Sequence, residues 1–193
     1  MKNVRIILFV TAVAVLVLLS ACSRGVSAST YNFDVALDPS PLGWETSTSG
    51  VITIPSHILT FNSKAGSIGA TVEGYHIEYL DSSGNNAFPG DSVQFSEGTL
   101  NVRVPPGIRC PPPAEGQVDE CTVNTPGVVF TRGDPALSAP TTMIPADIAI
   151  QLEQLLTIGG AVGATANVTF YGTDDVQRPF VSKPYQFAIV TPL

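Results

Sequence analysis

Charge is scarce in this chain. Only 13% of its 193 residues are Asp, Glu, Lys or Arg, and the nine Lys and Arg form no cluster. Without a basic footprint for phosphate there is no case for nucleic acid as a partner. Histidine occurs only at His57 and His76, and cysteine only three times. No HExxH and no clustered His/Cys set is present, so no metal site and no cofactor is expected. Three cysteines also exclude a disulfide-dense miniprotein. The one long apolar run, residues 6–18, is shorter than the ~20 residues of a comfortable bilayer span, which excludes a multi-span membrane protein. Glycine and proline are absent from the first 21 residues but make up 33 of the following 172. That share, about 19%, exceeds the ordinary ~12% yet falls short of the ~25–30% that marks disorder. No period of 20–50 residues repeats, and composition does not shift again after the start. One domain is expected.

What is present at the start is an address. Lys2 and Arg5 precede the apolar run, and Leu19, Ser20, Ala21 and Cys22 follow it. A basic start, an apolar middle and small residues at the end make a secretory signal. The residues alone leave open a cleavable signal with an incidental Cys22, or an uncleaved anchor helix. Leu-Ser-Ala-Cys, however, resembles the lipobox of bacterial lipoproteins. That resemblance implies removal of residues 1–21 and lipidation of the Cys22 thiol, with the new amine open to acylation. Two or three acyl chains anchor stably where one does not, each buried methylene adding ~0.8 kcal/mol. Residues 22–30 would then be a short polar tether. The expected location is the cell membrane or the outer membrane, with the domain outside the cytoplasm.

With Cys22 lipidated, Cys110 and Cys121 remain, and outside the cytoplasm such a pair oxidises. A disulfide closing a loop of this size stabilises by roughly 3 kcal/mol on the chain-entropy model. After processing, seven basic residues face sixteen acidic ones. So acidic a chain would be repelled by anionic headgroups rather than recruited to them.

From residue 31 onward, short β-rich segments alternate with turns. Residues 31–37 place Tyr31, Phe33, Val35 and Leu37 on one face. Residues 70–80 place Tyr75, Ile77 and Tyr79 on one face and His76 and Glu78 on the other. Further strands are expected at 51–54, 57–61, 99–104, 128–131, 166–171 and 185–190. One stretch differs: residues 145–158 carry Ile148, Leu152, Leu155 and Leu156 at helical spacing. Pro145 and Asp147 suit the helix start, and Gly159 and Gly160 suit its stop.

Residues 68–84, a strand running into a Ser-Gly turn, and residues 167–180, a second strand and turn, resemble small bacterial envelope lipoproteins with one immunoglobulin-like domain. The resemblance covers the lipobox and residues 31–193. It implies an all-β fold, an immunoglobulin-like β-sandwich of seven to nine strands with one short crossover helix. It transfers no catalytic residue.

The residues themselves point the same way. Ser67 lies in Gly66-Ser67-Ile68-Gly69, one residue short of a nucleophile elbow and without its strand–turn–helix context. His76 reads as a surface residue. Asp81 to Asn86 alternate oxygen ligands but lack the Gly and Glu of a calcium loop, and a turn explains them as well. Asp174 and Asp175 read as a solvated hairpin tip, and Asn167-Val168-Thr169 as a strand rather than a glycosylation site. Trp44 is the one aromatic placed to offer an exposed face to a sugar, although core packing under its loop is the stronger reading of it. No enzyme activity is expected. The expectation is a structural, adhesive or assembly role in the envelope, with an envelope protein as partner and the membrane reached through lipid. The alternative is a small-ligand or carbohydrate-binding lipoprotein using Trp44.

Overall fold

The computed structural model describes residues 31–88, 94–113, 121–158 and 161–191. The segment expected as a leader, 1–21, Cys22 and the expected tether lie outside the described residues. Alternation builds β1 (Phe33–Asp38), which buries Phe33 and Leu37. Three short strands follow, β2 (Leu42–Gly43), β3 (Glu45–Thr46) and β4 (Ile52–Thr53). Then β5 (Ile58–Ser63) returns antiparallel to β1, in register from Phe33↔Ser63 to Asp38↔Ile58. Next come β6 (Ala70–Asp81) and β7 (Phe95–Val104), then the small pair β8 (Ile108–Arg109) and β9 (Val129–Phe130). Between these two, Cys110 and Cys121 form the expected disulfide, with Cα atoms 5.8 Å apart. The chain continues through β10 (Ala136–Leu137), helix α1 (Ala146–Leu156), β11 (Thr157–Ile158) and β12 (Ala161–Val162). It ends in β13 (Ala164–Asp174), β14 (Pro179–Val181) and β15 (Tyr185–Val190).

The protein is therefore mainly β. The described residues hold fifteen strands where seven to nine were expected, because eight are two-residue ladders. Proline, which cannot donate to a ladder, and the many turns keep those pairings short. Helix α1 is the one helix among the described residues, and it links β10 to the separate β11–β12 pair, which leads into β13. It starts after Pro145 with Asp147 in its first turn. Its buried residues are Ile148, Ala149 and Leu152; Leu155, expected on that stripe, is exposed. The burial seen among the described side chains falls in the first two turns of the helix, and the side chain of Leu156 lies outside them.

Two sheets carry the architecture. One is three-stranded, ordered β1-β5-β10; the other is six-stranded, ordered β2-β15-β13-β6-β7, with β14 also paired to β13. Strands β14 and β15 share one edge of β13, at Tyr171–Thr173 and Ala164–Val168. Strand β7 ends the large sheet on the other side. Aromatic rings lock the sheets face to face. Phe61 of β5 meets Phe170 of β13 edge-on at 5.2 Å and Phe33 of β1 at 5.4 Å, and Phe33 reaches Phe180 of β14 at 6.1 Å.

The domain has two distinguishable ends. Strands β1 and β6 begin at the end where β5, β7 and β13 finish, as the pairs Phe33↔Ser63, Ala70↔Val104 and Asp174↔Ala70 require. Tyr31 enters there, bridged to Ile68. The loops around Asp81 and Trp44 and helix α1 lie toward the other end.

Candidate functional site

Because Tyr75, Ile77 and Tyr79 turn inward, the pleat of β6 sends His76 and Glu78 outward. Register then decides what they meet. Glu97 of β7 and Thr169 of β13 stand opposite His76; Phe95 and Asn167 stand opposite Glu78. The imidazole Nδ1 of His76 lies 3.3 Å from Glu97 Oε1, and its Nε2 lies 3.9 Å from Glu78 Oε1. The Phe95 ring packs on the imidazole, centroids 4.8 Å apart. Glu78 Oε2 accepts from Asn167 Nδ2 at 3.4 Å. Asn167 Oδ1 is buried without a hydrogen-bond partner. His76 is thus a surface residue, but one held between two carboxylates and an aromatic ring.

Behind this face, buried Tyr79 shares a 2.6 Å hydrogen bond with Ser96, and burial pushes its phenol up to about 12. At the rim lies a recess of about 200 Å³ lined by Glu78, Tyr79, Leu80, Asn86 and Gln94. Ligand pockets usually enclose ~300–1,000 Å³. The face carries charge and an aromatic ring beside a recess below that size, and suits a surface contact better than an enclosed ligand.

The other sequence candidates resolve individually. Trp44 is fully buried. Its indole N–H donates to Glu153 Oε2 on α1 at 3.4 Å, and Thr46 donates to the same oxygen at 3.2 Å. Strand β2 adds parallel to β15, with Leu42 opposite Ile189, and this seats Trp44 in the core. The expectation of a ligand platform at Trp44 is therefore corrected: no ring face is open to a sugar. His57 is buried too, its Nδ1 lying 2.7 Å from the Pro39 carbonyl, an acceptor that requires the proton on Nδ1. Buried Ser67 donates to the Lys64 carbonyl at 2.7 Å and shapes a turn.

Asp81 Oδ1 accepts the backbone N–H groups of Ser83 at 2.8 Å and Asn85 at 2.9 Å, and Gly84 supplies the left-handed residue, φ 81°. The Asn85 backbone hydrogen bond is the main cause holding this carboxylate below its usual range. The oxygens of 81–86 build a turn. Among the described residues no group of three or more His, Cys, Asp or Glu side chains is disposed to hold a metal ion. Asn167 lies within β13.

Asp174 departs from the solvated tip expected of it, being only 4% exposed. Its Oδ1 accepts from the N–H groups of Val176 at 3.0 Å and Arg178 at 2.9 Å, while Oδ2 takes Arg178 Nε at 2.9 Å. Burial raises its pKa, but the backbone and side-chain hydrogen bonds from Arg178 and the Val176 N–H outweigh it, so the net shift is downward. Asp175 meanwhile pairs with Arg103 at 2.6 Å. Sequence gave no sign of this, because the clamp depends on a turn that folds the carboxylate under its own backbone.

A folded-state pKa below the unfolded value of 3.8 contributes stability above pH 3.8 that is lost as pH falls through the folded value. Asp174→Asn should accordingly cost about 2 kcal/mol at pH 7, the scale of hydrogen bonds to a charged group. The gap between variant and parent should narrow below pH 3.8. Urea midpoints at pH 7 and pH 3 check this; a gap of equal size at both would remove the charged clamp as its cause.

Among the described residues no helix is long and apolar enough to cross a membrane. No protein-family profile matches the chain, and no curated protein matches it. One similar solved structure is a Bordetella pertussis crystal structure provisionally named ApaA, 13% identical, with 86% of this chain and 98% of that chain covered and a TM-score of 0.34. A likeness that slight carries neither fold nor function to this protein.

Proposed function

We propose that this chain is a bacterial envelope lipoprotein, held at the cell membrane or outer membrane through Cys22, with a non-catalytic adhesive or assembly role. Its domain is read as an immunoglobulin-like β-sandwich that presents the outer face of β6 and β7 to another envelope protein. The Leu-Ser-Ala-Cys22 pattern after the apolar run supports the anchor. The two sheets joined by aromatic contacts support the sandwich.

One observation carries the choice of a protein partner. Phe95, half exposed, sits on His76 between Glu78 and Glu97, beside a recess too small for an ordinary ligand. Exposed aromatic rings ringed by charge are typical of the anchors at protein interfaces.

The test uses native protein extracted from envelopes, crosslinked and affinity-purified, with its N-terminal peptide weighed. A diacylglyceryl mass on Cys22 and one stoichiometric partner are expected. Recovery of that partner should fall at least tenfold in Phe95→Ala. An unmodified Cys22 would overturn the anchor. A partner indifferent to Phe95→Ala, or sugar-array binding with no partner, would overturn the assigned face.

A further inference from the structure

We propose that the end of the domain at which Tyr31 enters lies against the bilayer and inserts apolar side chains into its interface. This rests on the reading of Cys22 as the lipid anchor and says which surface the anchor brings down.

Reach comes first. Nine residue steps separate Cys22 from Tyr31, and at ~3.3–3.6 Å each they span at most about 30 Å. Tyr31 itself is fixed. Its hydroxyl donates to the Val181 carbonyl at 2.6 Å, its ring lies 4.0 Å from that of Phe180, and its backbone is bridged to Ile68. The tether therefore leaves the domain from a defined point at one end. Strand β6, with 12 residues, runs from that end toward the other, a length of about 40 Å at ~3.3 Å per residue. A 30 Å tether cannot keep the opposite end on the membrane with Tyr31 uppermost. The Tyr31 end, or the flank beside it, must face the lipid.

That same end exposes apolar side chains. Val129 and Phe130, the two residues of β9, are 59% and 57% exposed, and Val176 in the β13–β14 turn is 56% exposed. Their placement follows from contacts. A Cβ on Gly66 would lie 3.4 Å from the Phe130 ring, and Gly66 precedes the Ile68 bridge to Tyr31. The turn holding Val176 is tied to the same loop, since the Asp175 N–H donates to the Gly69 carbonyl at 3.1 Å. Val181, whose carbonyl holds Tyr31, is exposed on the adjoining flank. Exposed Arg109 and Arg132 bracket Val129 and Phe130 in the pair and the segment after it, suited to snorkel toward headgroup phosphates. The chain's net negative charge argues against long-range recruitment. Here the anchor recruits, and short-range burial of apolar surface settles the orientation.

The experiment uses the full lipidated protein in phosphatidylcholine–phosphatidylglycerol vesicles, with acyl chains either plain or brominated. Parent protein, whose one tryptophan is buried Trp44, sets the baseline. In Phe130→Trp, and separately in Val176→Trp, the added emission should be quenched at least twofold by brominated lipid. Phe95→Trp, on β7 toward the opposite end, should be quenched little. Vesicle-bound protein with neither of the first two quenched, or with Phe95→Trp quenched instead, overturns the orientation and leaves the anchor standing. Protein that fails to float with the vesicles overturns the anchor, and the orientation with it.

Discussion

Phe61→Ala should lower stability by about 4 kcal/mol, within the ~3–5 kcal/mol typical of emptying a buried Phe site. At ~2–4 °C per kcal/mol for a domain of this size, the melting temperature should fall by roughly 8–16 °C. The site has little means of collapsing. Phe61 is fully buried in the central strand of the small sheet, held between Val35 and Ala136 by backbone pairing. Its ring meets Phe33 and Phe170 edge-on, each at about 81°, a geometry worth ~0.5–1.5 kcal/mol per pair beyond area burial. Loss of the ring thus removes contacts within one sheet and between the two. Phe61→Leu, which keeps most of the volume, should cost well under half as much. Thermal denaturation of both variants decides: equal losses would show that ring geometry, not filling, dominates, and losses under 1 kcal/mol would show that Phe61 does not join the layers.

Gly172→Ala should cost about 3 kcal/mol, the upper part of the usual ~1–3 kcal/mol range for overpacking, although it adds a single methyl. A Cβ at this position would lie 2.0 Å from the Thr71 carbonyl oxygen and 3.1 Å from the Glu73 N–H nitrogen. Those atoms are backbone, so no side chain can rotate aside. The pairing of β13 with β6 shifts register between Tyr171 and Gly172, and the strands approach closely at that bulge. The substitution must force apart the two most central strands of the large sheet. Gly84→Ala supplies the contrast: its Cβ would meet nothing within 4 Å, but φ is 81°, so only conformational strain of about 1 kcal/mol is expected. Chemical denaturation should rank Gly172→Ala as the more damaging, and the reverse order would mean that the bulge relaxes freely.

Much of the framework was legible in the sequence because alternation is a direct imprint of burial on one face. Residues 185–190 coincide with β15, and 70–80 with β6 save one residue. The helix announced itself through Pro145, Asp147 and its apolar spacing. Strand β7 begins at Phe95 rather than Thr99 because Ser96, Glu97 and Gly98 have little strand preference of their own; pairing with β6 supplies it. The meeting of His76 with Glu97 spans 21 positions and arises from register, for which no local signal exists. The Pro- and Gly-containing stretch around Trp44 reads as a loop with the indole packed beneath it, but nothing local says against what. A two-residue parallel ladder to the last strand, some 145 positions away, turns it inward. Asp174 and Asp175 are adjacent and alike in sequence, yet one is buried in its own turn and the other reaches Arg103.

Strand β7 is the outermost member of the large sheet, and its exposed positions include Glu97, Asn101 and Arg103. A chain anchored as proposed would meet its copies in two dimensions, at local concentrations far above those in free solution, where a bare ladder edge recruits copies of itself into ribbons. Opposite charges set six residues apart on that strand make an in-register parallel neighbour place like beside like. The pattern bars that alignment alone, since an antiparallel copy centred on Leu100 would set Glu97 opposite Arg103.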